Sequence, residues 1–217
     1  MVADLDLAFG TAGLDYNQDP PQGIADAVFS PDRIDTAFLD RLLSKCTDHL
    51  SLLAAPATLD RVYDFGAEAF DSIFDTLRTT MPCIVLDVPH QWSGWTKRAL
   101  IAADDILIVA APDLANLRNA KNIYDLLKTS RPNDRAPLYC LNQVGIPKRP
   151  EIPASEFAKA IESQPIATIP FDPQMFGSAA NNGQMIAEIS ANHPTTEMFL
   201  QIAQRLTLDV LHGDVTQ

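Results

Sequence analysis

Basic charge is the scarcest resource in this sequence. Lysine and arginine together number 16 against 28 aspartates and glutamates, a net charge of −12. A nucleic-acid binder needs clustered cations to neutralise phosphates, and an anionic membrane surface needs the same, so both partners are disfavoured. No apolar run approaches the roughly 18 residues of a membrane span. The opening Met1-Val2-Ala3-Asp4 has neither the basic flank nor the apolar core of a signal peptide. Cysteine is sparse as well. Cys46, Cys83 and Cys140 are far apart and odd in number. They have no metal-ligand spacing, and they read as buried free thiols in a reducing cytosol. None of the nine glycines begins the pattern Gly-x-x-x-x-Gly-Lys-Ser/Thr, and none precedes a lysine.

What the chain does have is apolar runs that end on proline. His49 to Ala55 stops at Pro56, Cys83 to Val88 at Pro89, Asp105 to Ala111 at Pro112, and Pro137 to Val144 near Gly145. A shorter run, Ile166 to Ile169, stops at Pro170, and Val2 to Asp6 resembles the end of a further strand. The runs are continuous, which is how strands read when both sheet faces are covered. Between them lie segments of helical period: Ile34 to Leu43, Gly66 to Thr79, Leu114 to Ser130, Ser155 to Ser163 and Thr195 to Leu211. Alternating strand and helix predicts a doubly wound α/β fold with a mostly parallel sheet, as a single domain over 1–217. A chain this long buries roughly 70% of its unfolded surface and needs no staples.

In an open parallel sheet, ligands bind beyond the carboxyl ends of the strands. The residues there are Asp4, Asp6, Pro56, Asp87 with Pro89, Pro112 with Asp113, Asn142, and Pro170 with Asp172. The set is rich in carboxylates. Such a set suits Mg²⁺, which takes one or two carboxylates plus water and phosphate oxygens. Asp87 closes the run Cys-Ile-Val-Leu-Asp, the form of a Walker B strand. An aspartate at a strand end can equally cap the next helix or start a turn.

The ordered set of segments resembles one family. VADLDLAFGTAGLDYNQDP (2–20), with GIADAV and LLAAP after it, is similar to the CpaE/TadZ branch of the MinD/ParA ATPases, proteins of tight-adherence pilus assembly. CIVLDVPHQWSGWTKRALIAADDILIVAAPDLANLRNAKNIYDLL resembles that branch's Walker B region and the segment beyond it. LNQV resembles the superfamily's adenine-side Asn motif, and IATIPFDPQMFGSAANNGQMIAE its late nucleotide-side loop and helix. The resemblance runs from about residue 2 to residue 208.

It implies ATP and Mg²⁺ as the intact family's cofactors. Asp6 would orient the attacking water, with Asp4 near the metal and Asp87 as the Walker B acid. Asp4, Asp6 and Asp87 would thus be catalytic, and Asp4 with Asp87 the metal residues. Asn142, Pro170, Phe171 and Asp172 would contact the base. It further implies a homodimer working with pilus or secretion-machinery proteins in the cytoplasm. The family's phosphate loop would lie before Met1, so the expectation is a fold without its first strand, loop and helix. Such a chain would bind ATP weakly or not at all, in the second case taking no cofactor, and would have a bare sheet edge. Two alternatives stand beside this reading: a non-catalytic interaction module of the same fold, and a partitioning ATPase, against which the charge speaks. The C-terminal helix lacks the basic face of an amphipathic membrane anchor. Trp92 and Trp95 are candidates either for an exposed contact in self-association or for a cover over the sheet.

Overall fold

The computed structural model describes residues 1–212, with side chains to residue 207. Positions Val210 and Leu211 of the C-terminal apolar pattern, and the Gly213-Asp214 end, lie outside the residues so described. The chain divides into two compact units. One comprises Met1–Ala99 with Ala179–Met185, the other Leu100–Ser178 with the chain from Ile186 onward.

The first unit holds β1 (Val2–Asp4), α1 (Ala12–Asp15), α2 (Ile24–Val28), a 3₁₀ turn at Pro31–Arg33, and α3 (Thr36–Leu42). Then come β2 (Ser44–Lys45), β3 (Ser51–Leu53), α4 (Asp71–Thr80), β4 (Val85–Asp87) and α5 (Gly94–Ala102), whose last three residues belong to the second unit. Its sheet has the order β2-β3-β1-β4. β1 runs parallel to both neighbours, with Val2 opposite Leu52 and Val85, and Asp4 opposite Asp87. Because β1 is central, Ala3, Leu52 and Leu53 are fully buried. Ala3 and Leu53 pack with Ile24, Leu39, Ile73 and Leu77, which arrive from α2, α3 and α4 at helical spacing, whereas Leu52 packs with Ala12 and Ala54.

The second unit holds β5 (Leu107–Ala110), α6 (Leu114–Ser130), β6 (Leu138–Val144), α7 (Ala154–Ile161) and β7 (Ala167–Pro170). After these come α8 (Pro173–Asn182), whose last four residues belong to the first unit, α9 (Ile186–Ile189) and α10 (Pro194–His212). Its sheet is all parallel, in the order β5-β6-β7. Tyr139, Leu141, Phe157 and Ile161 form its core with Leu127. Two helix starts come from local chemistry: Asp35 caps α3 by accepting from Phe38 N at 2.7 Å, and Asp113 caps α6 by accepting from Asn116 N at 2.9 Å. The fold is therefore α/β, with mostly parallel strands flanked by helices.

One strand is new and three expectations change. β2 carries no apolar signal; it is two polar residues held antiparallel to β3 by backbone bonds. The Trp92–Trp95 pair splits. Trp95 starts α5 from inside the core, 4.8 Å from the Phe70 ring, while Trp92 stays outside. Cys83 is exposed rather than buried, since it precedes β4 at the sheet's outer edge. The same edge position leaves Val85 exposed, as it does Val109 on β5, although both runs read as covered on two faces.

Candidate functional site

Asp4 is the most constrained of the predicted residues. It is 0% exposed at the end of the central strand. Its Oδ1 accepts from Asp6 N at 3.0 Å and its Oδ2 from Ala12 N at 3.1 Å. Burial pushes its carboxyl above the usual range; the two N–H donors pull it back, and the charges of Asp87 and Asp6 push it up further. The loop Leu5–Thr11 is wrapped on this carboxylate. Gly10 donates to Asp6 O at 2.7 Å. A Cβ at Gly10 would collide with both Asp4 oxygens, so no side chain fits there. Asp4 therefore serves here as the anchor of the loop after β1.

Asp6 and Asp87 are the open members. Asp6 is half-buried and accepts from Phe9 N at 3.1 Å. Asp87, in register with Asp4 across the β1–β4 pair, is exposed. Its carboxyl is nonetheless raised, by partial loss of water first and then by the charges of Asp6 and Asp15. Asp15, at the end of α1, is a member of this acidic group that strand-end reasoning does not reach. The ion pairs of this unit, Lys45–Asp48, Arg78–Asp75 and Arg98–Asp71, involve none of the three predicted carboxylates.

Beside Asp6 lies a cavity of about 210 Å³ whose lining includes Leu59, Arg61, Tyr63, Phe65 and Trp95. Its lining rings Phe65 and Trp95 belong to a longer chain of rings. Phe29, Phe65 and Phe70 succeed one another at 5.5 and 5.8 Å, and Phe70 meets Trp95. Arg61 lies over the Phe29 ring at 4.8 Å. Sequence reasoning stopped at Pro56, where the apolar run ends. The segment Asp60-Arg61-Val62-Tyr63-Asp64-Phe65 just beyond it, with aromatic, charged and apolar residues interleaved, was the signal available.

The second predicted group lies in the second unit, and the β6–β7 pair brings it together. Val144 is opposite Pro170, and Phe171 N donates to Val144 O at 2.8 Å. Asn142, half-buried, accepts from Gln143 N at 2.8 Å through Oδ1. The loop after it is bent by Gln143, Gly145 and Lys148 at φ of 57°, 87° and 65°. Glu151 holds that bend, accepting from Gly145 N, Ile146 N and Arg149. Asp172 caps α8 through Met175 N at 2.9 Å, and His193 Nε2 stands 3.6 Å from its other oxygen.

Among the described residues, no three His, Cys, Asp or Glu side chains gather into a metal cage. A water-rich Mg²⁺ needs only one or two carboxylates, and the open pair Asp6 and Asp87 fits that demand. The sequence has no Gly-rich lysine loop, and the charges that act on Asp87, those of Asp6 and Asp15, are negative.

No family model matches the chain, and no curated protein matches it. Solved structures do. A ParA family ATPase from Chlorobium tepidum TLS superposes with a TM-score of 0.79 at 22% identity, covering 95% of this chain and 84% of that one. The septum site-determining protein MinD from Pyrococcus horikoshii OT3, complexed with Mg-ADP, gives 0.79 at 17% identity over 95% and 82%. MinD in the MinC:MinD cell division complex of Aquifex aeolicus gives 0.71 at 18% identity over 100% and 84%. Identities this low establish the fold alone: the chain is built on the α/β architecture that these ParA and MinD proteins share.

Proposed function

We propose that the chain is a CpaE/TadZ-type pilus-assembly or localisation protein on the ParA/MinD fold, acting in the cytoplasm through protein partners as one domain. The observation that carries this reading is the register of the acidic strand ends. The Asp-x-Asp motif leaves β1 directly beside Asp87, the last residue of an apolar strand. The Mg-ADP and MinC complexes of the structural neighbours support nucleotide and partner binding as properties of proteins with this fold.

In this role Asp6 and Asp87 would hold Mg²⁺ through its waters, and the metal would supply positive charge against phosphate. Asn142, Pro170, Phe171 and Asp172 would meet a base. The chain alone binds ATP weakly, since its sequence has no Gly-rich lysine loop to cradle the β- and γ-phosphates. Titration of fluorescent ATP with Mg²⁺ tests this: sub-micromolar binding to the purified chain refutes it. Deleting the gene in its host tests the role, because unchanged surface piliation removes it.

A second reading, a non-catalytic interaction module, is favoured by Asp4. A residue whose two oxygens are both taken by backbone donors is committed to structure. In either role two copies pair through the outer edge of the first unit's sheet, at β4, and light scattering on the same samples checks the dimer.

A further inference from the structure

The strands β1, β3 and β4 are parallel, so the loops after them emerge at one end of the first unit's sheet. Each loop leaves a large apolar side chain uncovered. Phe9 after β1 is 75% exposed, Val62 after β3 is 87% exposed, and Trp92 after β4 is 55% exposed. All three loops also line the cavity beside Asp6, through Leu7, Tyr63 and Gln91 among others. The cavity's volume, about 210 Å³, has room for one large side chain. Apolar surface gathered around a concavity marks a contact site.

Charge decides what covers it. The strand ends, the loops and the short helix α1 here carry Asp6, Asp15, Asp19, Asp60, Asp64 and Asp87. Arg61 is the one lysine or arginine in these three loops, and its guanidinium is engaged over Phe29. A second copy of this chain would bring the same carboxylates face to face, and like charges across an interface repel. A neutral apolar partner would leave the carboxylates desolvated without a counter-charge. We infer that the loop end of this sheet docks a polypeptide segment presenting a large apolar side chain flanked by lysine or arginine. The apolar side chain enters the cavity between Tyr63 and Trp95, and the cations meet Asp6, Asp15 and Asp64. The inference is independent of the nucleotide reading, because it uses no phosphate contact and is tested without nucleotide.

The test uses the full chain and a fluorescein-labelled peptide in which lysine alternates with leucine and phenylalanine, read by anisotropy at physiological salt. The peptide binds the parent chain, and a version with glutamate in place of lysine does not. Val62→Ser/Trp92→Ser leaves the charge unchanged and alters only exposed residues, so it folds, as circular dichroism will show. It weakens peptide binding at least tenfold. Asp15→Asn/Asp64→Asn also weakens it and flattens its salt dependence. Equal binding by Val62→Ser/Trp92→Ser would mean attraction to net charge alone and overturns the proposal. Equal binding of the glutamate peptide overturns it too. So does concentration-dependent self-association of the parent that Val62→Ser/Trp92→Ser abolishes, because the occupant is then a second copy.

Discussion

Removing the Asp4 carboxylate should destabilise the chain, and it should do so in a way that depends on Gly10. Asp4→Ala orphans the N–H groups of Asp6 and Ala12, both bonded to a buried charge. An unsatisfied buried donor costs about 1–3 kcal/mol. Against this, the variant escapes the desolvation that raises the Asp4 carboxyl. The net loss is about 2–4 kcal/mol, a large share of the 5–15 kcal/mol of an ordinary domain. Gly10→Ala alone forces a methyl into the Asp4 carboxylate and costs about 1–3 kcal/mol as overpacking. In the Asp4→Ala background the carboxylate is gone, so the methyl has space, and Gly10→Ala should cost under about 0.5 kcal/mol. Urea unfolding tracked by the fluorescence of buried Trp95 measures all four corners of the cycle. Acid offers an independent check. A carboxyl raised in the folded state binds its proton more tightly there than when unfolded. Its presence therefore costs stability above the folded pKa, and the cost fades as pH falls toward the ordinary value of 3.8. The parent should gain on Asp4→Asn over that window. Additive costs within about 0.5 kcal/mol, or an Asp4→Ala loss smaller than that, would refute the anchoring argument.

Asp113 should behave with the opposite sign. Its carboxyl is lowered, by the bond from Asn116 N first, so its contribution is complete above the ordinary carboxylate range and is lost as pH falls through the folded pKa. Asp113→Ala should cost about 1 kcal/mol at neutral pH and progressively less in acid, as read from thermal melts across a pH series. The thiols should separate by environment: Cys83 reacts promptly with an aromatic disulfide reagent, whereas buried Cys140, pushed up to about 11, reacts only on unfolding. Prompt labelling of Cys140 at neutral pH would contradict its burial.

The strands were legible because their apolar runs end abruptly. Leu138–Val144 and Leu114–Ser130 fall almost where composition and period placed them. What the sequence concealed were features that carry no side-chain pattern. β2 is recruited by the backbone of β3, and α1 and α2 are too short to show a period. Edge and centre are also invisible in one dimension, because Val85 and Leu53 both sit in apolar runs yet differ in exposure. At the site, Asp4, Asp6 and Asp87 were found by their position after the runs. The difference between the closed Asp4 and the open pair was not, since it comes from where the N–H groups of residues 6 and 12 point. Asp172 was read through the resemblance as a base contact; its visible work is to cap α8.

The central place of β1 sets a schedule for synthesis. It leaves the ribosome well before its partners β3 and β4, with Val2 pairing as far on as Val85. At roughly 5–20 residues per second, β1 spends on the order of ten seconds without the strand that completes it. Through that interval Val2, Ala3, Leu5 and Leu7, all half-buried or buried in the finished sheet, stand in water. Nascent chains of this protein should therefore be clients of a ribosome-associated chaperone until residue 87 has emerged.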